Sequence, residues 1–228
     1  MPQLLPRSQK SRPQRRGPAE RARIATIFAR FAAAEPEPRT ELNYSSAFTL
    51  LVAVVLSAQA TDISVNKACG PLFSLASTPQ AMVALGETAL ARAISSIGLF
   101  NTKARNVIAL SRIILEQFGG ETPLDRVALE SLPGVGRKTA SVVLNELGVE
   151  PAIAVDTHVF RVAKRLGLST AQTPQKMEQD LMDLTPTDRR TRAHHWLILH
   201  GRYCCTARKP RCAACLVADL CPSRDLFA

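Results

Sequence analysis

The chain has 228 residues, of which 46% are hydrophobic and 21% are charged, a composition that can fill a packed core and excludes disorder throughout. Its formal net charge is +10, which favours an anionic partner and most simply a nucleic acid. The longest apolar run, residues 47–58, is shorter than the ~18 residues of a membrane span, so we expect no such span.

Residues 1–19 form a basic segment rich in proline. Five of them are Arg or Lys and none is acidic, so half of the net charge lies here. We expect a disordered arm, either a solvated tail or a weak tether to DNA. No apolar stretch typical of a secretory signal follows the basic residues, so we also expect a cytoplasmic protein.

From residue 20 onwards the apolar residues follow a helical period. The spacing i, i+3, i+4, i+7 recurs in three segments, residues 24–31, 140–147 and 159–166. Thr-Pro pairs, which are typical of helix starts, stand at residues 78–79, 122–123 and 173–174. Sustained alternation of apolar and polar residues is absent from the sequence. We therefore predict an all-α fold of about nine or ten helices.

Two segments that contain proline, residues 36–38 and 149–151, are candidate linkers. They predict a helical bundle domain at residues 40–150. Residues 20–39 and 151–228 are then expected to pack together as a second helical domain. A cleft between two such domains is a natural site for a large ligand.

The stretch LPGVGRKTA, residues 132–140, predicts a tight turn between two helices, the second of which begins near Arg137. Gly134 and Gly136 let the backbone approach a ligand, and the free N–H groups of the new helix can bind a phosphate without sequence preference. This is a helix-hairpin-helix pattern, and Val135 belongs to the same candidate DNA contact. An ordinary corner between two helices would also explain the glycines.

Lys138 and Asp156 are the candidate catalytic residues. Lys138 lies in the first turn of its predicted helix, where the helix dipole and the neighbouring Arg137 disfavour a positive charge. A neutral amine is what a nucleophile needs, although a plain phosphate contact would also explain the lysine. Asp156 follows a short apolar run and begins another predicted helix. It can cap that helix and still face the cleft.

Four cysteines near the C-terminus have the spacing of a metal site: Cys205, Cys212, Cys215 and Cys221. Zinc is one alternative, but only one short Cys-x2-Cys knuckle occurs, and an iron–sulfur cluster suits the longer spacings as well. Cys204 has no partner in this pattern, and Cys69 is most simply a thiol of the core.

The gap between the first two of these cysteines holds three cations, Arg208, Lys209 and Arg211, around a proline. A rigid loop that presents three positive charges is typical of a phosphate contact. A merely solvated loop is the alternative. We treat these three residues as candidate DNA contacts.

Together these features resemble the endonuclease III family of DNA base-excision glycosylases, over most of the chain from about residue 21 to 224. The residues that carry the likeness are LSAQATD at 56–62, LPGVGRKTA at 132–140, VDTH at 155–158 and HGRY at 200–203, followed by the four spaced cysteines.

The resemblance implies two α-helical domains with DNA in the cleft and a damaged pyrimidine flipped out of the duplex. Lys138 would attack the sugar C1′ and displace the base, and Asp156 would take a proton or stabilise positive charge on the sugar. The Schiff base would then permit β-elimination, which cuts the strand 3′ to the lesion. The presence of Lys138 favours this bifunctional branch over the related adenine glycosylases, which lack the lysine.

The resemblance also implies that the four cysteines hold a [4Fe–4S] cluster. Gln59 and Leu99 match positions that fill the gap left by the flipped nucleotide, and His158 would contact DNA nearby. The expected partner is double-stranded DNA with a damaged pyrimidine or an abasic site. We expect a bacterial protein that acts as a monomer and associates with the nucleoid by binding DNA.

Two other functions remain open. A glycosylase of the same fold could act on another lesion, such as a mismatched or oxidised purine. A non-catalytic iron–sulfur DNA-binding protein would keep the glycine turn and the cysteines, but it has no need for Lys138 and Asp156 together.

Overall fold

The computed structural model describes residues 16–227. The expected disorder of the arm therefore falls almost wholly outside the described residues. Its last residues, Pro18 and Ala19, belong to the first helix instead, because proline is well suited to the first helical turn. No helix in the described part of the chain is long and apolar enough to cross a membrane.

Between residues 16 and 227 the fold contains helices and no strand, which confirms the all-α prediction. Eleven α-helices are described instead of nine or ten: α1 (Pro18–Ala34), α2 (Ala47–Ser57), α3 (Asp62–Leu75), α4 (Pro79–Leu85), α5 (Glu87–Ala93), α6 (Phe100–Phe118), α7 (Arg126–Glu130), α8 (Arg137–Glu146), α9 (Thr157–Arg165), α10 (Pro174–Leu184) and α11 (Arg190–Tyr203). Short 3-10 helices stand at Thr187–Arg189, Cys212–Ala214, Ala218–Leu220 and Arg224–Leu226.

Side-chain caps explain where several helices begin. The Thr78 and Thr173 hydroxyls accept backbone N–H groups at the starts of α4 and α10, as the Thr-Pro pairs predict. The third pair, at residues 122–123, was wrongly assigned as a helix start. There the helix begins later, at Arg126, because the Asp125 carboxylate accepts the N–H of Ala128 at 2.9 Å and forms the cap.

A first hydrophobic core surrounds α2. Nine of the 11 residues of this helix are buried, and α3, α6 and α8 pack against it. Ser46 and Thr49 form a reciprocal capping box at its start, which fixes where the helix begins. The helix ends at Ser57, two residues before Gln59.

A second hydrophobic core is built from α1, α9, α10 and α11. The N-terminal helix α1 joins it from the far end of the chain. Arg23 of α1 donates hydrogen bonds to the carbonyls of Leu166 and Leu220, at 2.9 and 2.8 Å. The Trp196 indole N–H donates to the Glu35 carbonyl at 2.7 Å, so its polar atom is satisfied while its ring fills this core.

Polar contacts join helices of the two cores. Glu146, at the end of α8, lies 3.0 Å from the Nε2 of His195 in α11, and the two side chains are less than 10% exposed. Tyr44 donates its hydroxyl to the same carboxylate at 3.1 Å. Burial opposes ionisation of Glu146, but these contacts outweigh it and lower the pKa of the carboxyl group. The contact therefore holds α8 and α11 at a fixed separation.

Candidate active site

The glycine turn lies between α7 and α8, and α8 begins at Arg137, as its sequence predicts. Gly134 has φ +80°, and a Cβ built on it would lie 2.9 Å from the Asn106 side-chain nitrogen, so no other residue fits without strain. Gly136 precedes α8 in an extended conformation and offers no side-chain cap. The first backbone N–H groups of α8 are thus left to bind an anion.

Lys138 and Asp156 line the same cavity, which has a volume of about 200 Å³. Lys138 projects from the first turn of α8, and Asp156 caps α9 by accepting the Val159 N–H at 2.7 Å. The expected capping role of Asp156 and its place in a cleft thus occur together. The cap uses one carboxylate oxygen and holds the group rigidly, while the other oxygen is left for chemistry.

The wall of this cavity also includes a buried histidine. His194 of α11 lines the cavity and is 2% exposed. Burial lowers its pKa to about 3, and the charges of His195 and Lys138 act in the same direction. The ring is therefore neutral at pH 7, so it adds no positive charge beside the lysine. No spacing in the sequence indicated that this histidine lies near Lys138.

The lining of the cavity also contains a charged cluster that could not be recognised from the sequence. The Arg202 guanidinium donates to Asp62 at 2.5 Å and also to Glu41. Burial opposes the charge on Arg202, but its two carboxylate partners outweigh this and raise its pKa. Asp62 and Arg202 belong to the quoted LSAQATD and HGRY stretches, which was the only signal available for them.

Gln59 and Leu99 share an unusual backbone conformation. Their φ angles are +56° and +60°, and no other non-glycine residue among residues 16–227 has a positive φ. The left-handed region costs about 1–2 kcal/mol for a residue with a Cβ, and such strain persists where function requires it. Gln59 lines the cavity, and Leu99 precedes α6 with 61% of its surface exposed.

The remaining candidate DNA contacts lie on the surface. Arg208, Lys209 and Arg211 are exposed, and in the described part of the chain none of them pairs with a carboxylate. Arg137 differs, because its guanidinium lies 3.2 Å from the Glu178 carboxylate of α10. His158 faces Arg161, with 3.2 Å between Nδ1 and a guanidinium nitrogen.

The four spaced cysteines line a second, small cavity of about 30 Å³. Arg165 supports two of them: its guanidinium donates to the Cys205 sulfur at 3.5 Å, and its carbonyl lies 3.4 Å from the sulfur of Cys221. A cation beside a thiolate stabilises its charge, so the site fits a cluster held by four thiolates. Cys69 lies apart, and burial raises the pKa of its thiol to about 12, as expected for a thiol of the core.

Cys204 also reaches this cavity. The sulfurs of Cys204 and Cys215 and a ring nitrogen of His200 all lie within 4.8 Å of one another. The Cys204 sulfur also lies 3.8 Å from the Arg211 carbonyl oxygen. Burial raises the pKa of the Cys204 thiol to about 12, and the neighbouring cysteines add to this effect. Unlike the Cys205 sulfur, it receives no hydrogen bond from a cationic side chain among the described residues, which favours Cys205 as the first ligand.

Comparison with protein families gives two matches. Residues 52–187 match the family described as HhH-GPD superfamily base excision DNA repair protein. Residues 205–221, which begin at the first spaced cysteine and end at the last, match the iron–sulfur binding domain of endonuclease III. The fold and the site thus define a base excision DNA repair protein with an iron–sulfur domain.

Individual proteins agree with this class. Endonuclease III of Treponema pallidum (strain Nichols) is 56% identical over 203 residues, which cover 89% of this chain and 96% of that protein. Endonuclease III of Escherichia coli (strain K12) is 52% identical over 90% of this chain and 97% of its own. A structure of a trapped endonuclease III–DNA covalent intermediate has a TM-score of 0.85 at 41% identity, with 90% of this chain and 97% of that chain covered.

The chain belongs to the endonuclease III family. It is a DNA glycosylase and AP lyase of base excision repair, and it carries a [4Fe–4S] cluster. A thermostable thymine-DNA glycosylase with a TM-score of 0.79 at 23% identity, which covers 91% of this chain and 98% of its own, shows that the same fold also occurs in another glycosylase.

Proposed function

We propose that Lys138 is the nucleophile of this enzyme and that Asp156 assists it, on double-stranded DNA that contains an oxidised pyrimidine or an abasic site. The observation that carries this proposal is that an amine and a rigidly held carboxylate line one cavity, although they come from helices packed in different cores. A base flipped from the duplex needs such a cavity, with the reacting groups on its wall.

The proposed chemistry starts with a neutral Lys138 amine. Its lone pair forms a bond to the sugar C1′, and the base leaves with the electron pair of the glycosidic bond and takes up a proton. Asp156 stabilises the positive charge that develops on the sugar, or accepts the proton that the lysine nitrogen loses. The ring oxygen O4′ then leaves C1′ with the electron pair of the C1′–O4′ bond and takes up a proton, so that the opened sugar is joined to the lysine by a C1′=N Schiff base. Loss of a proton from C2′ expels the 3′ phosphate.

The surface around the cavity suits a bent and opened duplex. The free N–H groups at the start of α8 bind one phosphate through the turn of Gly134, Val135 and Gly136, and the exposed loop of Arg208, Lys209 and Arg211 binds others. Gln59 and Leu99 enter the gap left by the flipped nucleotide. His158 contacts the backbone next to the cavity, and Arg137 reaches the duplex when it leaves Glu178.

We assign the cluster to Cys205, Cys212, Cys215 and Cys221, which would orient the cation loop between the first two of them. The cluster domain then comprises residues 20–39 and 151–228, and the bundle domain residues 40–150. The two separate hydrophobic cores support this division. The enzyme acts as a monomer on the DNA of the bacterial cytoplasm, and the bacterial origin of its relatives supports this assignment.

Borohydride trapping tests the nucleophile, because reduction of a Schiff base leaves the protein covalently attached to abasic DNA. Lys138→Gln should abolish trapping and strand cleavage and leave duplex binding largely intact, since the backbone N–H groups remain. Lys176→Gln, which changes an exposed lysine outside the cavity, is the matched control and should trap like the parent. Trapping by Lys138→Gln at the parent level would remove Lys138 from this role.

The lesion is tested separately with matched duplexes that contain an oxidised pyrimidine or an oxidised purine. We expect the oxidised pyrimidine to be released faster than the oxidised purine under single-turnover conditions. Preferred release of the purine would leave the nucleophile in place and overturn only the substrate assignment.

A further inference from the structure

Lys103 is a lysine buried in the first core. It lies in α6, only 5% of its surface is exposed, and burial lowers the pKa of its amine. Within residues 16–227 no carboxylate lies within ion-pair distance of it. A buried ammonium without an ionic partner is costly, so its retention calls for a specific reason.

The side chain of Lys103 ends at the last turn of α2. Its Nζ donates a hydrogen bond to the Leu56 carbonyl at 2.9 Å, and Leu56 itself is fully buried. The last carbonyls of a helix have no partner within the helix, and at a buried end water cannot replace one. The ammonium satisfies this carbonyl and also interacts favourably with the negative end of the helix dipole.

This hydrogen bond lies between the two residues with left-handed backbones. Gln59 follows Leu56 by three residues along the chain. Leu99 precedes Lys103 by four residues, and its carbonyl accepts the Lys103 backbone N–H at 3.0 Å in the first turn of α6. Lys103 therefore connects the segment that holds Gln59 with the turn that holds Leu99, through its side chain on one side and its backbone on the other.

We propose that Lys103 is a positioning residue that sets the separation of Gln59 and Leu99, so that both side chains enter the DNA at the same lesion. The inference rests on the proposed gap-filling role of these two residues. The packing of α2 against α6 sets the separation of the two helices, but Gln59 and Leu99 each lie just outside a helix in a strained conformation. A direct link between the two segments supplies the constraint.

The test uses Lys103→Met, which keeps the apolar stem and removes the donor and the charge. Lys103→Arg keeps both and should restore most of the function if the link matters. Arg105→Met, which changes an exposed residue of the same helix, is the matched control. The readout is the fluorescence rise of 2-aminopurine placed opposite the lesion, which reports unstacking of that base without any chemistry. Thermal melting of each variant checks that it folds.

Lys103→Met should lose most of the fluorescence rise and slow single-turnover excision by about tenfold, since a displacement near 1 Å costs up to about 10²-fold. Added to Leu99→Ala, it should cause no further loss. A fluorescence rise in Lys103→Met equal to that of the parent would overturn the inference. So would a loss of excision rate on Lys103→Met substitution that is the same factor in the parent and in Leu99→Ala. If Lys103→Met does not fold, Lys103→Leu, which also lacks the donor and the charge, takes its place in the same double-variant comparison.

The gap-filling roles of Gln59 and Leu99 can be refuted separately from the role of Lys103. If Gln59→Ala and Leu99→Ala both keep the parent fluorescence rise, the gap-filling assignment is wrong and the inference falls with it. If either of them loses the rise while Lys103→Met keeps it, only the inference on Lys103 is wrong.

Discussion

Gly201→Ala should impair catalysis from a position outside the cavity lining. A Cβ on Gly201 of α11 would lie 2.9 Å from the Cβ and 3.3 Å from the Cα of His158 in α9. These atoms are fixed to the α9 backbone, so no side-chain rotation relieves the clash. Ordinary contact begins at 3.4 Å, so α9 and α11 must separate by about 0.5 Å to reach it. Asp156 caps α9 and must move with it relative to Lys138.

The expected losses follow from this displacement. Overpacking at such a contact costs about 1–3 kcal/mol, which lowers Tm by roughly 2–4 °C for each kcal/mol in a chain of this size. Single-turnover excision at saturating protein should slow by about tenfold, because a misplacement near 1 Å costs up to about 10²-fold. The saturating condition separates slower chemistry from weaker binding of DNA.

Gly70→Ala is the control for this prediction. Gly70 also lies inside a helix, α3, but a Cβ there would meet nothing within 4 Å. Alanine is favoured over glycine in helices by about 1 kcal/mol, so this variant should be as stable as the parent or more stable, with an unchanged excision rate. An unchanged excision rate in Gly201→Ala would refute the argument that α11 positions Asp156 through α9.

Three further changes test the proposed roles. Asp156→Asn should slow single-turnover excision by about 10²-fold or more and keep the circular dichroism of the parent, because asparagine also caps helices; an unchanged rate would reduce the residue to a cap. Glu146→Gln should lower Tm at pH 7. This difference should begin to shrink as the pH falls below the ordinary carboxyl pKa of 4.5 and should be lost as the pH falls through the lowered pKa of Glu146, because the contacts favour the ionised carboxyl group. A difference in Tm that stays constant as the pH is lowered through this range would contradict the assignment. Cys212→Ser should bleach a broad absorbance near about 400 nm, whereas Cys69→Ser should not, and a colourless active protein that contains zinc would contradict the cluster assignment.

Features that depend on neighbouring residues in the chain could be predicted from the sequence. The caps at Thr78 and Thr173, the start of α8 at Arg137 and the cap at Asp156 all depend on a few adjacent residues. The one wrong helix start, at residues 122–123, also has a local cause, because a second capping residue stands closer to the helix. The capping rule failed here because two capping signals, Thr122 and Asp125, lie close together and compete.

Contacts between distant segments could not be predicted in this way. Arg202 and Asp62 are 140 residues apart, and Lys103 and Leu56 are 47 residues apart, so no local spacing connects them. A buried lysine is also contrary to the usual preference for exposure. The left-handed conformations of Gln59 and Leu99 had no residue-level signal either, since glycine and asparagine are the usual residues there.

The packing of α1 has a consequence for the order in which the chain is made. This helix is the first described element to leave the ribosome, yet its buried face, with Ile27 and Phe31, packs against α9 and α11. Arg23 reaches a carbonyl 197 residues further on. At about 5–20 residues per second, α1 waits roughly 10–40 s for its last partners. The bundle around α2 can fold in that interval, so assembly of the iron–sulfur region must wait until the chain has been made as far as Cys221.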